Sequence, residues 1–291
     1  MKRQSKGRKD HYLPQGYLRG FIAPDRLNKR TFPKPLFSFD INKRRWQECS
    51  TSEIGFVKGF YDYAGNVTDA ESADDTFAEL ERNFSLVRGA LIEAGFSNWQ
   101  EHREFLLRYM QMIRVRSPLY FQQKHAEGQN LEVLQITEIS EDRRSVKYIP
   151  TRLTPQQIKN KTIANMRAEL QKGADWLNGF DWALRFCDSP DDPCISSDAP
   201  FIVEGKVPNL GQAIDHPDTL LIFPLCWQAC LYGSRLHFDV KTDKFSSHDL
   251  NLIRRKYRAN ARRYLISPRK LEDLNVVDPA FISPELAASH D

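Results

Sequence analysis

The chain has 291 residues, of which 41% are hydrophobic and 27% charged, the proportions of an ordinary globular protein with length for one large domain or two small ones. Its longest apolar run, around Thr219 to Leu225, is the size of a strand, which argues against a membrane-spanning helix, and no apolar leader segment follows the basic start. The net charge of +4 hides an asymmetry, because residues 1–45 hold 13 Lys/Arg against 3 Asp/Glu, so this stretch carries +10 and the remainder −6.

Taken in chain order, Lys2, Arg3, Lys6, Arg8 and Lys9 with interspersed Ser and Gly predict a flexible basic arm over residues 1–10. A single domain over 11–270 follows, then a tail over 271–291. Pro14 suits the first turn of a helix running to about Ile22. On it Gln15 and Arg19 share one face, and Tyr12, Leu18 and Phe21 anchor the other. His11 stands just before the positive end of that axis. Leu36–Asp40 reads as a strand and Asn42–Arg45 as the turn after it. From Asp75 the pattern is helical, with Phe77, Leu80, Phe84, Val87 and Leu91 at steps of three and four. A second helix carries Trp99, Leu106, Met110 and Ile113 and must stop before Ser117-Pro118.

Residues 120–150 are ambiguous, with a short strand at Val146–Ile149. Thr154, Pro155 and Gln157 form the N-cap, first position and capping-box partner of a helix that presents Ile158, Met166 and Leu170 and ends at Gly173. Beyond Trp176 come short apolar runs: Trp182–Leu184, Cys194–Ser196, Phe201–Val203, Leu220–Phe223 and Leu236–Val240. These predict the strands of one sheet. A closing helix turns Leu250, Ile253, Tyr257, Ala261 and Tyr264 inward and sets Arg254, Arg258 and Arg262 in a ridge at i, i+4 and i+8. The fold class is therefore α+β: a helical N-terminal and middle part packed with a mostly antiparallel C-terminal sheet and a closing helix. Five cysteines in no regular framework predict buried thiols in a reducing, cytoplasmic setting.

Six stretches in the same order resemble the bacterial family labelled domain of unknown function 4238. Its opening HYxPQxxLRxF motif is matched by His11, Tyr12, Pro14, Gln15, Leu18, Arg19 and Phe21. Glu81 resembles its helical glutamate, and Gln111 with Arg116-Ser117-Pro118 its Gln…Arg-Ser-Pro element, with Arg114 as a competing register. Its SDxP turn is similar to Ser197–Pro200, and its FPL strand to Phe223–Leu225. Its Asn-rich closing helix is similar to Asn251–Ser267, with Asn260 and Arg263 in place. The resemblance covers residues 11 to about 267 and implies one structural unit in which distant motifs meet.

The chemistry on offer is that of His11, Gln15, Arg19, Arg116 and Asp198. Histidine exchanges protons near neutral pH, a carboxylate can orient it, and arginines hold phosphate by paired hydrogen bonds. The expectation is a hydrolase acting on a phosphodiester substrate, a nuclease or nucleic-acid-directed effector in bacterial defence. In it His11 is the acid/base, Asp198 orients it or binds a metal, Gln15 positions a water, and Arg19 and Arg116 hold phosphate. The alternative is a non-catalytic nucleic-acid- or protein-binding module. There the motif residues form a structural polar network, and the basic arm with Arg254, Arg258 and Arg262 supplies affinity. Carboxylates and a lysine at Asp198, Glu204 and Lys206, or at Asp239 and Lys241, would suit Mg²⁺, a pattern that arises readily by chance. Cys226, Cys230 and His237 fall short of a zinc set. No cofactor or metal is expected.

Overall fold

The computed structural model describes residues 9–28, 30–62, 73–139, 146–205 and 216–272. The basic arm over 1–8 and the tail from 273 lie outside the described residues. Lys9 and Asp10, read as part of the arm, instead open a strand: β1 (Lys9–His11) pairs antiparallel with β4 (Phe56–Lys58). Between them run α1 (Gln15–Leu18), continued by a 3₁₀ turn over Arg19–Phe21, and the hairpin of β2 (Leu36–Asp40) and β3 (Arg45–Cys49).

Two helices form the centre of the molecule. α2 (Ala73–Glu93) buries Phe77, Leu80, Phe84 and Leu91, the face its spacing predicts. α3 (Arg103–Arg116) packs beside it, entered through a 3₁₀ turn at Trp99–His102, and Phe84 stacks on Tyr109 with ring centroids 3.7 Å apart. Ser117 both ends α3 and starts the next helix. Its backbone turns extended ahead of Pro118, and its hydroxyl donates to Arg114 O at 2.7 Å and accepts from Tyr120 N at 3.1 Å. The ambiguous stretch resolves into α4 (Pro118–Gln129) and a hairpin of β5 (Glu132–Ile139) and β6 (Val146–Arg152). α5 (Pro155–Gln171) carries the predicted capping box between Thr154 and Gln157.

The C-terminal half departs from the single predicted sheet. Its five-stranded sheet has the order β12 (Thr242–Lys244), β7 (Asp181–Phe186), β11 (Ala229–Ser234), β10 (Leu220–Cys226), β9 (Ile202–Glu204), antiparallel except where β12 joins β7. The Cys194–Ser196 strand shifts to β8 (Ser196–Ser197) and lies in a second, four-stranded antiparallel sheet of order β3-β2-β13-β8, with β13 at Tyr264–Ser267. Leu236–Val240 forms no strand. Phe238 N and Lys241 Nζ both bond the Asp181 carboxylate, wrapping this segment around the end of β7 with Leu236 and Val240 in solvent. The strand is instead Ala229–Ser234, which pairs with both β10 and β7 and carries Cys230, one of the two cysteines at zinc-like spacing.

The closing helix, α6 (Ser247–Asn260), ends four residues before Tyr264, which lies in β13. The fold is α+β, and its two main sheets share one continuous core with the helices.

Candidate functional site

The opening motif is held by its own neighbours. Pro14 is extended and lets a single α turn begin at Gln15, which buries Tyr17, Leu18 and Phe21 completely. Tyr17 donates to Pro224 O at 3.0 Å and lies 2.8 Å from Ser196 Oγ, so it joins the opening turn to the FPL strand and to the residue before Ser197. Proline has no N–H for a ladder, and the β10 register shifts just after Pro224. Trp227 N reaches Gly20 O at 3.0 Å, and a Cβ on Gly20 would stand 2.9 Å from Arg88 Nη1 and 3.1 Å from Cys226 Cβ.

Arg116 is the hub behind this turn. Although only 1% exposed, its guanidinium donates to the Glu81 carboxylate, to His11 O and, at 3.0 Å, to Tyr61 Oη. It also lies 4.6 Å from the Phe77 ring centroid. Burial opposes its charge, but Tyr61 and Glu81 outweigh burial and hold its pKa above the ordinary value. Arg116, not Arg114, is the arginine that faces the opening motif. Arg114 points elsewhere, donating to Gln111 Oε1 at 2.9 Å and lying 5.3 Å from the Trp176 ring.

His11 rests against Phe56, with ring centroids 5.7 Å apart, and its buried Nε2 has no hydrogen-bond partner among the described residues. Burial, reinforced by Arg116 and Lys9 against Glu81 and Asp10, lowers its pKa, so the ring is neutral at pH 7.

The Ser197–Pro200 turn is the other half. Asp198 Oδ1 accepts from Arg262 N at 2.9 Å and Oδ2 from Arg263 N at 2.8 Å, and Asp198 N returns a bond to Tyr264 O. Burial raises the Asp198 carboxyl above its ordinary value, against the backbone N–H groups of Arg262, Arg263 and Tyr264, which favour the anion. Asn260 Nδ2 donates to Ala199 O and Tyr257 Oη to Pro200 O. Tyr12 is buried near Asp198, Tyr264, Arg263 and Tyr61; burial, then Asp198, raises its phenol.

The turn and the opening motif thus come together, but His11 and Asp198 share no hydrogen bond, and both Asp198 oxygens are engaged by main chain. Gln15 is half-buried and accepts from Thr51 Oγ1 at 3.3 Å, while Arg19 is exposed. The arginine ridge does not exist as such. Arg254 is buried and donates to Pro193 O and Asp192, Arg258 is half-buried, and Arg262 lies beyond the helix end, bonded to Gln122. Glu204 pairs with Lys256, Asp239 sits on no strand, and Lys206 is outside the described residues. Among the described residues no three His, Cys, Asp or Glu side chains are placed to hold a metal, and no helix is long and apolar enough to cross a membrane.

Two features were missed in the sequence. The first is a cationic edge. Pairing of Tyr264 with Asp40 and of Asp40 with Arg45, and the bond from Ile41 N to Arg263 O, bring the exposed Lys43, Arg44 and Arg45 beside the exposed Arg262 and Arg263. Its signal is split across more than 200 residues of chain. The second is a cleft of about 750 Å³ between α2, the start of α3 and the end of α5, lined among others by Glu79, Glu101, Arg103, Glu104, Arg108 and Asp175; the motif residues do not line it.

A family model described as protein of unknown function (DUF4238) matches residues 9–270. No curated protein and no solved structure matches the chain.

Proposed function

The chain belongs to the DUF4238 family, and we propose that it is a non-catalytic nucleic-acid-binding protein whose family motifs shape the binding surface. The observation that supports this reading is the gathering of Lys43, Arg44, Arg45, Arg262 and Arg263 at one end of the four-stranded sheet. Asp198 pins the backbone of the last two, so their side chains leave a fixed loop beside a fixed hairpin turn. A cationic patch on a rigid edge attracts polyphosphate at long range and releases counterions when it binds.

The hydrolase reading has one specific support, the neutral, unpartnered Nε2 of His11. Among the described residues no carboxylate is hydrogen-bonded to that ring. Fluorescence anisotropy on labelled single- and double-stranded DNA and RNA, with and without Mg²⁺, tests both readings when the products are also run on a gel. The expected result is binding that weakens with salt, with a log–log slope of about −0.9 for each phosphate engaged on duplex DNA. Binding should survive His11→Ala and fall at least about tenfold when Arg44, Arg262 and Arg263 are all replaced by Glu. Wild-type affinity in the charge-reversed variant, or no binding at about 50 mM salt, refutes the proposal. Cleavage that disappears in His11→Ala would establish the hydrolase instead.

A further inference from the structure

Four of the five cysteines gather at the turn between β10 and β11. Cys226 ends β10 and Cys230 lies in β11, while Cys187 follows β7 and Cys194 precedes β8. Trp227 O accepts both Cys194 N at 2.8 Å and Cys187 Sγ at 3.0 Å, and Cys187 N bonds Gln228 O at 2.7 Å. The Cys194 thiol neighbours the Cys187 sulfur, and the two residues share Trp227 O as acceptor. Between the two cysteines the chain makes an acidic loop, Asp188–Pro193, which is exposed at Asp188, Ser189 and Asp191. Arg254 fastens its far end through Pro193 O and Asp192.

The four thiols differ in their surroundings. Burial pushes Cys226 up to about 11 and raises Cys230 and Cys194. Cys187 moves the other way, because Cys194 and then Arg254 favour its thiolate against burial and Asp192. It is also the most accessible, at 7% against 1% for the other three. A thiol that is the most accessible of a cluster and has a second thiol beside it is the arrangement that peroxide oxidises reversibly.

We propose that Cys187 and Cys194 are a redox pair that a hydroperoxide converts to a disulfide closing the Asp188–Pro193 loop. The Cys187 thiol releases to solvent the proton it donates to Trp227 O, its sulfur attacks the peroxide oxygen, an S–O bond forms, the O–O bond breaks, and the departing hydroxide takes up a proton from solvent. The Cys194 thiol then attacks the sulfenic sulfur, the S–S bond forms, and hydroxide leaves with the thiol proton as water. Two thiols lose two electrons in total and one peroxide gains them.

The test is mass spectrometry of the full chain after reduction, desalting, treatment with hydrogen peroxide, unfolding and alkylation of the remaining thiols. Trypsin places both cysteines in one peptide, Phe186–Lys206. The expected product is that peptide lighter by two hydrogens and unalkylated, restored by dithiothreitol, with Cys49, Cys226 and Cys230 still alkylated. In Cys194→Ser the expected product is a Cys187 sulfenic acid trapped by a dimedone probe. Oxidation of all five thiols at one rate, sulfinic acid on Cys187 without a disulfide, or an unmodified peptide overturns the proposal. The wild-type measurement needs no variant to fold.

Discussion

Replacing Arg116 by Met should destabilise the protein rather than remove a ligand contact. The guanidinium is buried and donates to three groups: the Glu81 carboxylate, Tyr61 Oη and His11 O. Met fills much of the space over Phe77 but donates nothing. The His11 carbonyl and the Tyr61 hydroxyl each lose a donor, at about 1–3 kcal/mol for a buried group left unanswered. The Glu81 side chain is 32% exposed, so water restores much of its solvation and the broken pair adds little. The total is about 3–5 kcal/mol, the range for deleting one partner of a buried ion pair. In a protein of this size that lowers Tm by about 6–20 °C. Urea unfolding followed by tryptophan fluorescence and by far-UV circular dichroism measures it. Glu81→Gln should be similarly damaging, since it leaves the buried guanidinium without a counter-ion. The double variant Arg116→Met/Glu81→Gln should fall short of the summed losses by about 1–3 kcal/mol. A single Arg116→Met variant within about 1 kcal/mol of wild type, or strict additivity in the double variant, would refute the hub.

Other expectations follow from the same contacts. Folding lowers the pKa of His11 beneath its ordinary 6.5, so the unfolded chain binds that proton more readily. Its contribution to stability is complete above about pH 6.5 and is lost as pH falls, and Tm of His11→Gln should drop less than wild type between about pH 7.5 and 5.5. Asp198→Ala strips the acceptors from Arg262 N and Arg263 N and should lose about 1–3 kcal/mol in chemical denaturation. The same variant should also weaken nucleic-acid binding, because the loop carrying both arginines is released. Thr154→Ala removes the capping box of α5 and should lower stability by about 1 kcal/mol. A Cβ on Gly233 would stand 2.7 Å from Trp182 Cη2, so Gly233→Ala should destabilise by about 1–3 kcal/mol through overpacking.

Local signals read well wherever one element carries the whole signal. The face of α2, the stop at Ser117-Pro118 and the capping box at Thr154 each rest on residues within one or two turns of each other. What failed was decided across the chain. Leu236–Val240 alternates like a strand, but Asp181, some sixty residues earlier, captures Phe238 N and Lys241 and pulls the segment away from the ladder. The apolar spacing of the closing helix continues through Tyr264. Asp198 captures Arg262 N and Arg263 N and redirects the chain into β13. The arginine ridge failed for the same reason, since its third member belongs to the redirected loop. Arg254 had no local sign that Pro193 would claim it.

The motif residues were legible as a set, and their contacts decide what the set can do. Tyr17 has one proton, directed at Pro224 O. Asp198 has two carboxylate oxygens, each already accepting an amide. Arg116 directs its donors at Glu81, Tyr61 and a main-chain oxygen inside the protein. A group whose polar atoms are engaged this way meets a ligand only by breaking what holds the chain, at about 1–3 kcal/mol for each orphaned partner. Side chains that leave the network but are not consumed by it carry no such penalty. Arg263 comes nearest to that description: its backbone N–H is fixed by Asp198, while its guanidinium is 56% exposed and keeps one long ion-pair contact, Nε 3.9 Å from the buried Asp40 carboxylate. The motifs therefore mark where the scaffold is rigid, and the proposed binding would use the exposed donors that this scaffold aims outward.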